Sequence, residues 1–287
     1  MTTKSITSEQ EKQYKKFVED AADKALAQVG LDKDGLQRLF EQGDEFQARI
    51  IAGIRELSVS NQFADEEIGS NHGYLSGYRK PKSIAEQIKV LRRLFPGIGF
   101  ADEKLAEQAL PSNAEGWFAI PRYEVVAASY NAAVEKVLEL IKQQRKGSFC
   151  NWREGKLGAK YLRQHEHTAK KLEALAEQQK GYDILVVAAQ FGLRHRGRSV
   201  RRAREVFTDN EFGLGAFAIG CMLLTHPERL QDYDELWIDC AGDEYAPATG
   251  VFSTAPYLLF DVGEVRLDAG WFGNACDRYG SATGFLP

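Results

Sequence analysis

Residues 191–199 read FGLRHRGRS. As G-x-x-x-x-G-R-S they differ at one position from the phosphate loop G-x-x-x-x-G-K-[ST]. An apolar run, DILVVAA, precedes them and the helix-like VRRAREVF follows, the order that lets a loop aim backbone N–H groups at phosphate. Arg198 stands where a lysine would thread the loop, and a planar guanidinium does not replace a compact ammonium. Leu193, Arg194, His195 and Arg196 also put bulk where a phosphate needs bare backbone, so a nucleotide-hydrolysing loop is not expected. What remains is a cluster. Arg194, Arg196, Arg198, Arg201, Arg202 and Arg204 place six guanidinium forks within eleven residues at a strand-to-helix junction, a setting suited to phosphate or carboxylate. Helical spacing turns Val200, Ala203 and Phe207 inward and leaves Arg198, Arg201, Arg202 and Arg204 outward or on the flanks.

Residues 228–245 hold seven carboxylates and one arginine. Salt bridges between this acidic run and the arginines are the structural alternative to a ligand. Within the run, Asp239, Asp243 and Glu244 lie at and just beyond a predicted strand end, where carboxylates can hold magnesium with water completing the shell. With the arginines stabilising phosphate charge, that pattern suggests a metal-dependent phosphoester hydrolase or nuclease. Tyr78, Arg79 and Lys80, in SGYRKPK, mix an aromatic ring with cations as single-strand binders do, and the following helix adds Lys89, Arg92 and Arg93. His165 and His167 are two apart on a predicted helix and cannot share a metal. GSATG sets its serine one position too early for a nucleophile elbow, and Cys276 has no base nearby in sequence.

These residues need a frame. Ser8 with Glu11 reads as a capping box opening a helix that carries Phe17, Ala21, Ala25 and Val29 to Gly30. Further helices are predicted over 33–42, 44–57 (with Phe46, Ile50, Ile54 and Leu57 on one face), 83–95, 129–146 and 158–180. Residues 58–82 read as a long loop and 97–128, with EGWFAIP, as irregular. From Tyr182 onward short strands dominate: DILVVAA, DELWIDC, GVFST, PYLLFDV and EVRLDAGWF, with a hairpin turn at Asp261-Val262-Gly263-Glu264. The expected class is α+β: a helix-rich N-terminal two-thirds, then a mixed or antiparallel sheet in the C-terminal third. The expected division is a mainly helical region over 1–180 and an α/β region with late hairpins over 181–287.

The 287 residues carry a net charge of −4, so any polyanion contact must be local. No apolar stretch is long enough to cross a bilayer, no membrane partner is expected, and four scattered cysteines suit isolated thiols in a cytoplasmic protein. RHRGRSVRRAREVF, EGWFAIP, ELWIDCAGDEY and DRYGSATGFLP resemble stretches of bacterial open reading frames of unassigned function, a likeness that implies no activity, cofactor or catalytic residue. The residues themselves point to a binding protein that recognises a phosphate-rich partner, nucleic acid or nucleotide, through the arginine cluster. No cofactor is predicted for it; magnesium belongs to the hydrolase alternative. A protein–protein interaction module built on the aromatic C-terminal region, with a protein partner and no phosphate affinity, is the third reading.

Overall fold

The computed structural model describes residues 7–58, 61–248 and 250–287. The chain divides into two compact units, Met1–Val59 and Ser60–Pro287.

The first unit consists of α1 (Ser8–Val29), α2 (Lys33–Glu41) and α3 (Gly43–Ser58). The capping box forms one residue earlier than expected, between Thr7 and Gln10, because glutamine at N3 reaches back as well as glutamate does. Gly30 ends α1 in the left-handed conformation at φ 61°. Neither α1 nor α2 buries a residue, and Phe17, Val29, Phe40, Phe46, Ile50 and Ile54 stand exposed. The side chain of Leu57 lies outside the described residues. Caps and i,i+4 pairs such as Lys15–Glu11, Lys24–Asp20 and Arg49–Glu45 support these helices, at about 0.3–0.5 kcal/mol each.

The second unit carries α4 (Ile84–Leu94), α5 (Tyr123–Val126), α6 (Tyr130–Gln144), α7 (Glu166–Gln178), α8 (Val200–Glu205) and α9 (Ala216–Thr225). Its early strands are β1 (Gly116–Pro121), β2 (Phe149–Asn151), β3 (Leu162–Gln164), β4 (Ile184–Gln190) and β5 (Glu211–Gly213). The later ones are β6 (Trp237–Asp239), β7 (Asp243–Tyr245), β8 (Thr254–Asp261), β9 (Glu264–Trp271), β10 (Tyr279–Ser281) and β11 (Thr283–Phe285). One sheet is antiparallel in the order β1-β4-β11-β5. The other is mixed: β10-β6-β8-β7-β3, with β9 joining β8 to β2, and β10–β6 and β2–β9 running parallel.

Helices and strands coexist, but not helices first and sheet last. β1, β2 and β3 precede residue 180, while α8 and α9 follow it. EGWFAIP is not irregular; its GWFAIP forms β1, whose last four residues are buried in a continuous run where alternation would give only every second one. Leu162–Gln164 is a strand inside the expected helix, which begins only at Glu166. β1 pairs with β4 from Gly116↔Ala189 to Pro121↔Ile184, so segments from either side of residue 180 share one sheet.

α9 occupies the centre, with every residue buried, as a helix apolar on all sides must be. It packs on α6, α4 and β1, and Gly220 leaves room for Val137 where a Cβ would collide. No described helix is long and apolar enough to cross a membrane. The hairpin turn forms where expected: Val262 at φ 51° and Gly263 at φ 81° give the two left-handed positions of a type I′ turn, with Asp261 opposite Glu264.

Candidate functional site

The arginine cluster forms at the predicted junction. β4 ends at Gln190, residues 193–195 make one tight turn, and Ser199 caps α8 by accepting from the Arg202 N–H at 3.0 Å. From His195 to Ser199 the loop's backbone donors are already used. The N–H groups of Gly197, Ser199 and Arg201 go to the carbonyls of Tyr279, Glu66 and Phe272, and those of His195 and Arg198 to Gly192 and His195. The Ser199 hydroxyl donates to Glu66 at 2.6 Å. A phosphate would find no open nest along this stretch.

The guanidiniums are occupied too. Arg194 meets Glu211 at 3.0 Å, and His195 and Thr283 reach the same buried carboxylate at 2.8 Å each. Arg198 pairs with Glu67 at 2.7 Å. Arg201 forks onto Glu66, with Nε at 2.7 Å from both oxygens. Arg202 bonds Asn61 at 2.8 Å and Glu205 at 3.0 Å. Arg196, exposed, donates to the His72 carbonyl at 3.1 Å. Salt bridging with residues 228–245 is therefore corrected in its partners: the carboxylates are Glu66, Glu67, Glu205 and Glu211. The segment after Asn61 lies along the arginine loop, with Ile68 N–H on the Gly197 carbonyl at 2.9 Å. The Arg201 hydrogen bond holds Glu66 below the usual carboxylate range, and that of Arg198 does the same for Glu67. Burial pushes Glu211 upward, but His195 and Arg194 outweigh it and leave it lowered.

The three carboxylates proposed for magnesium do not converge. Asp243 is fully buried; it accepts from the Tyr130 hydroxyl at 2.6 Å and from the Ala216 N–H, at the start of α9, at 2.7 Å. Glu244, next along β7, pairs with Arg163 at 2.8 Å. The Asp239 carboxylate makes no hydrogen bond among the described residues, although its backbone carbonyl accepts from Ala282 N–H at 3.1 Å. The charge near all three is Arg204, which turns inward rather than outward and donates to the carbonyls of Ala241 at 2.9 Å and Asp243 at 2.7 Å. Burial lowers its pKa to about 10, so it stays charged at neutral pH. Burial likewise raises Asp239 and Asp243 to about 7. Among the described residues no three of His, Cys, Asp and Glu form a cation-holding group.

Tyr78 belongs to the core, edge-on to Phe191 and within 3.3 Å of Glu115 through its hydroxyl, while Arg79 and Lys80 are exposed. Uncommitted positive charge gathers instead beside α4. Lys89, Arg92 and Arg93 line an open groove of 730 Å³ with Phe100, and none of the three has an ion-pair partner among the described residues. The Arg92 guanidinium lies 4.2 Å from the Phe100 ring centroid, yet Phe100 remains 60% exposed. The loop presenting it is anchored to β4. Gly99 N–H donates to Asp183 at 2.7 Å, and the Phe100 carbonyl accepts from Asp183 and Ile184 at 3.1 Å. Sequence reasoning marked the three cations but missed Phe100, whose one signal is an aromatic placed just after the Pro96-Gly97 helix stop.

Compared with family models, curated proteins and solved structures, the chain matches none.

Proposed function

We propose that the protein binds a phosphate-rich partner, single-stranded nucleic acid, through the groove beside α4, with the arginine loop as its scaffold. What supports this reading is one observation: Lys89, Arg92 and Arg93 have no ion-pair partner among the described residues and line one groove with the exposed Phe100, over which Arg92 lies. Cations contact phosphates and release counterions, while a base stacks on the open side of Phe100. Three phosphate contacts give a slope of about −2 for log affinity against log salt.

Fluorescence anisotropy with labelled oligo(dT) and oligo(U) across a salt series tests this. Replacing Arg92 and Arg93 together by glutamate should weaken binding at least tenfold and flatten the slope. Binding that survives the double variant unchanged, or is absent at low salt, removes the reading; a mononucleotide that binds as well as the oligomers makes the partner a nucleotide.

A protein–protein interaction module is favoured by a different feature. Phe17, Val29, Phe40, Phe46, Ile50 and Ile54 of α1 to α3 stand exposed, the kind of apolar surface that associating chains cover. No comparable observation favours the phosphoester hydrolase, because Asp243 and Glu244 are taken up by different partners and do not converge with Asp239.

A further inference from the structure

Asp239 is 6% exposed, and its carboxylate has neither a hydrogen bond nor an ion pair among the described residues. Arg204 acts on it only at a distance, since its Nε and Nη2 donors go to the Ala241 and Asp243 carbonyls. A buried carboxylate left in this way lacks a donor. Its neighbours show the same deficit. Asp239 stands opposite Ser281 on β10 and Tyr257 on β8, so the three side chains leave the sheet on one face. The Ser281 hydroxyl is buried without a partner, as is the indole N–H of Trp237, two residues before Asp239 on the same strand.

The space over Asp239 has a definite size and lining. A cleft of 20 Å³ is bounded by Asp239, Val200, Tyr257, Trp271, Asn274 and Tyr279. That volume holds one water or one –NH₃⁺ group, and nothing larger. Tyr257 and Tyr279 lie 5.2 Å apart by ring centroid, with Trp237 at 5.1 Å from Tyr279. The small pair Ala255↔Gly270 keeps one wall low. Trp271, 55% exposed, leaves the outer side open, and the guanidinium of Arg201 already sits 4.9 Å from its ring. This wall therefore accepts a cation in the folded chain.

We propose that the cleft over Asp239 binds a primary ammonium group carried on an unbranched alkyl chain. The ammonium supplies the donors that the carboxylate lacks, aromatic rings line its surroundings, and the alkyl chain leaves past Trp271 and Asn274. A quaternary ammonium is too large for the cavity, and an anion meets the wrong charge. The site is separate from the α4 groove, and neither proposal depends on the other.

Isothermal titration of the full-length protein at pH 8 with butane-1,4-diamine, a blocked Gly-Lys-Gly tripeptide, tetramethylammonium and butyrate tests the assignment. The diamine or the lysine peptide should bind, and the other two should not. Preference for the diamine indicates a free amine; preference for the peptide indicates a lysine side chain of a protein partner. Asp239→Asn should weaken the productive ligand at least tenfold. Gly270→Ala, whose methyl would lie 3.3 Å from the Tyr257 ring, should weaken it while keeping the carboxylate. Equal affinity in wild type and both variants, equal binding of tetramethylammonium, or no binding of either amine overturns the proposal.

Discussion

Arg201 grips Glu66 with its Nε hydrogen bonded to both carboxylate oxygens, at 2.7 Å each. Its guanidinium also lies 4.3 Å from the Phe63 ring centroid, so one side chain fastens the segment after Asn61 to α8 by charge and by packing. Arg201→Glu would place two carboxylates together at this half-buried position. A stability loss of about 1–3 kcal/mol is expected, read from urea denaturation. Oligonucleotide affinity of the folded variant should stay unchanged, because the pair faces Glu66 and not the α4 groove. Lost affinity in a variant that is still folded would return the arginine loop to the binding surface.

Gly197 tests the same fastening through the backbone. It sits at φ +79°, and a Cβ there would run into the Ile68 carbonyl. Gly197→Ala combines left-handed strain with that collision, and should cost about 2–4 kcal/mol in a chemical melt. Gly263→Ala, also at positive φ but with open space around its Cβ position, should cost only about 1 kcal/mol. Equal losses in the two variants would mean that the contact with Ile68 contributes nothing.

Much of the fold was legible where the determining contacts are local. Ser83 with Glu86 opens α4, Ile184–Gln190, apolar as far as Ala189, is a buried strand, and Asp261–Glu264 makes its turn from neighbouring residues. The missed strands depend on distant partners: β1 on β4, β2 on β9, β3 on β7. Three residues such as Leu162–Gln164 carry no periodicity that separates a strand from the first turn of a helix. The arginine cluster was visible as composition, but its partners were not. Glu66 and Glu67 lie in a short FADEE stretch of a predicted loop, and the longer acidic run of 228–245 drew the expectation instead. Asp239 was marked by its place at a strand end. Its isolation depends on Tyr257 and Tyr279 arriving from other strands, which no local pattern encodes.

Asp239 also gives stability a pH dependence of definite sign. Burial raises its carboxyl from 3.8 to about 7, while the charged and titratable groups around it are Arg204, Cys240, Tyr257, Cys276 and Tyr279. The folded state keeps the proton longer than the unfolded state does, so unfolding free energy falls as pH rises from about 4 through 7 and levels above that. Asp243, raised to about 7 as well, contributes in the same direction. Asp239→Asn should remove its share and stabilise the protein at pH 8 by about 1–3 kcal/mol. The gain should vanish near pH 4. The variant expected to lose the ammonium ligand is thus expected to be the more stable one, which separates a lost site from a damaged fold. A stability–pH curve unaltered by the substitution would show that the carboxyl is not held protonated.

One of the contacts that anchor the Phe100 loop can be disturbed without touching its ring. A Cβ on Gly99 would approach the Asp183 carboxylate at 2.7 Å, the same group that accepts the Gly99 N–H. Gly99→Ala should push the loop off β4, move Phe100 relative to Arg92 and weaken oligonucleotide binding about threefold to tenfold. Phe100→Ala leaves the loop anchored and removes only the stacking surface, worth about 1–3 kcal/mol per base. Both variants retain Lys89, Arg92 and Arg93, so the salt slope should stay near that of the wild type while affinity drops. A slope that collapses with either one would mean that the loop positions the cations, and that the ring does not receive a base.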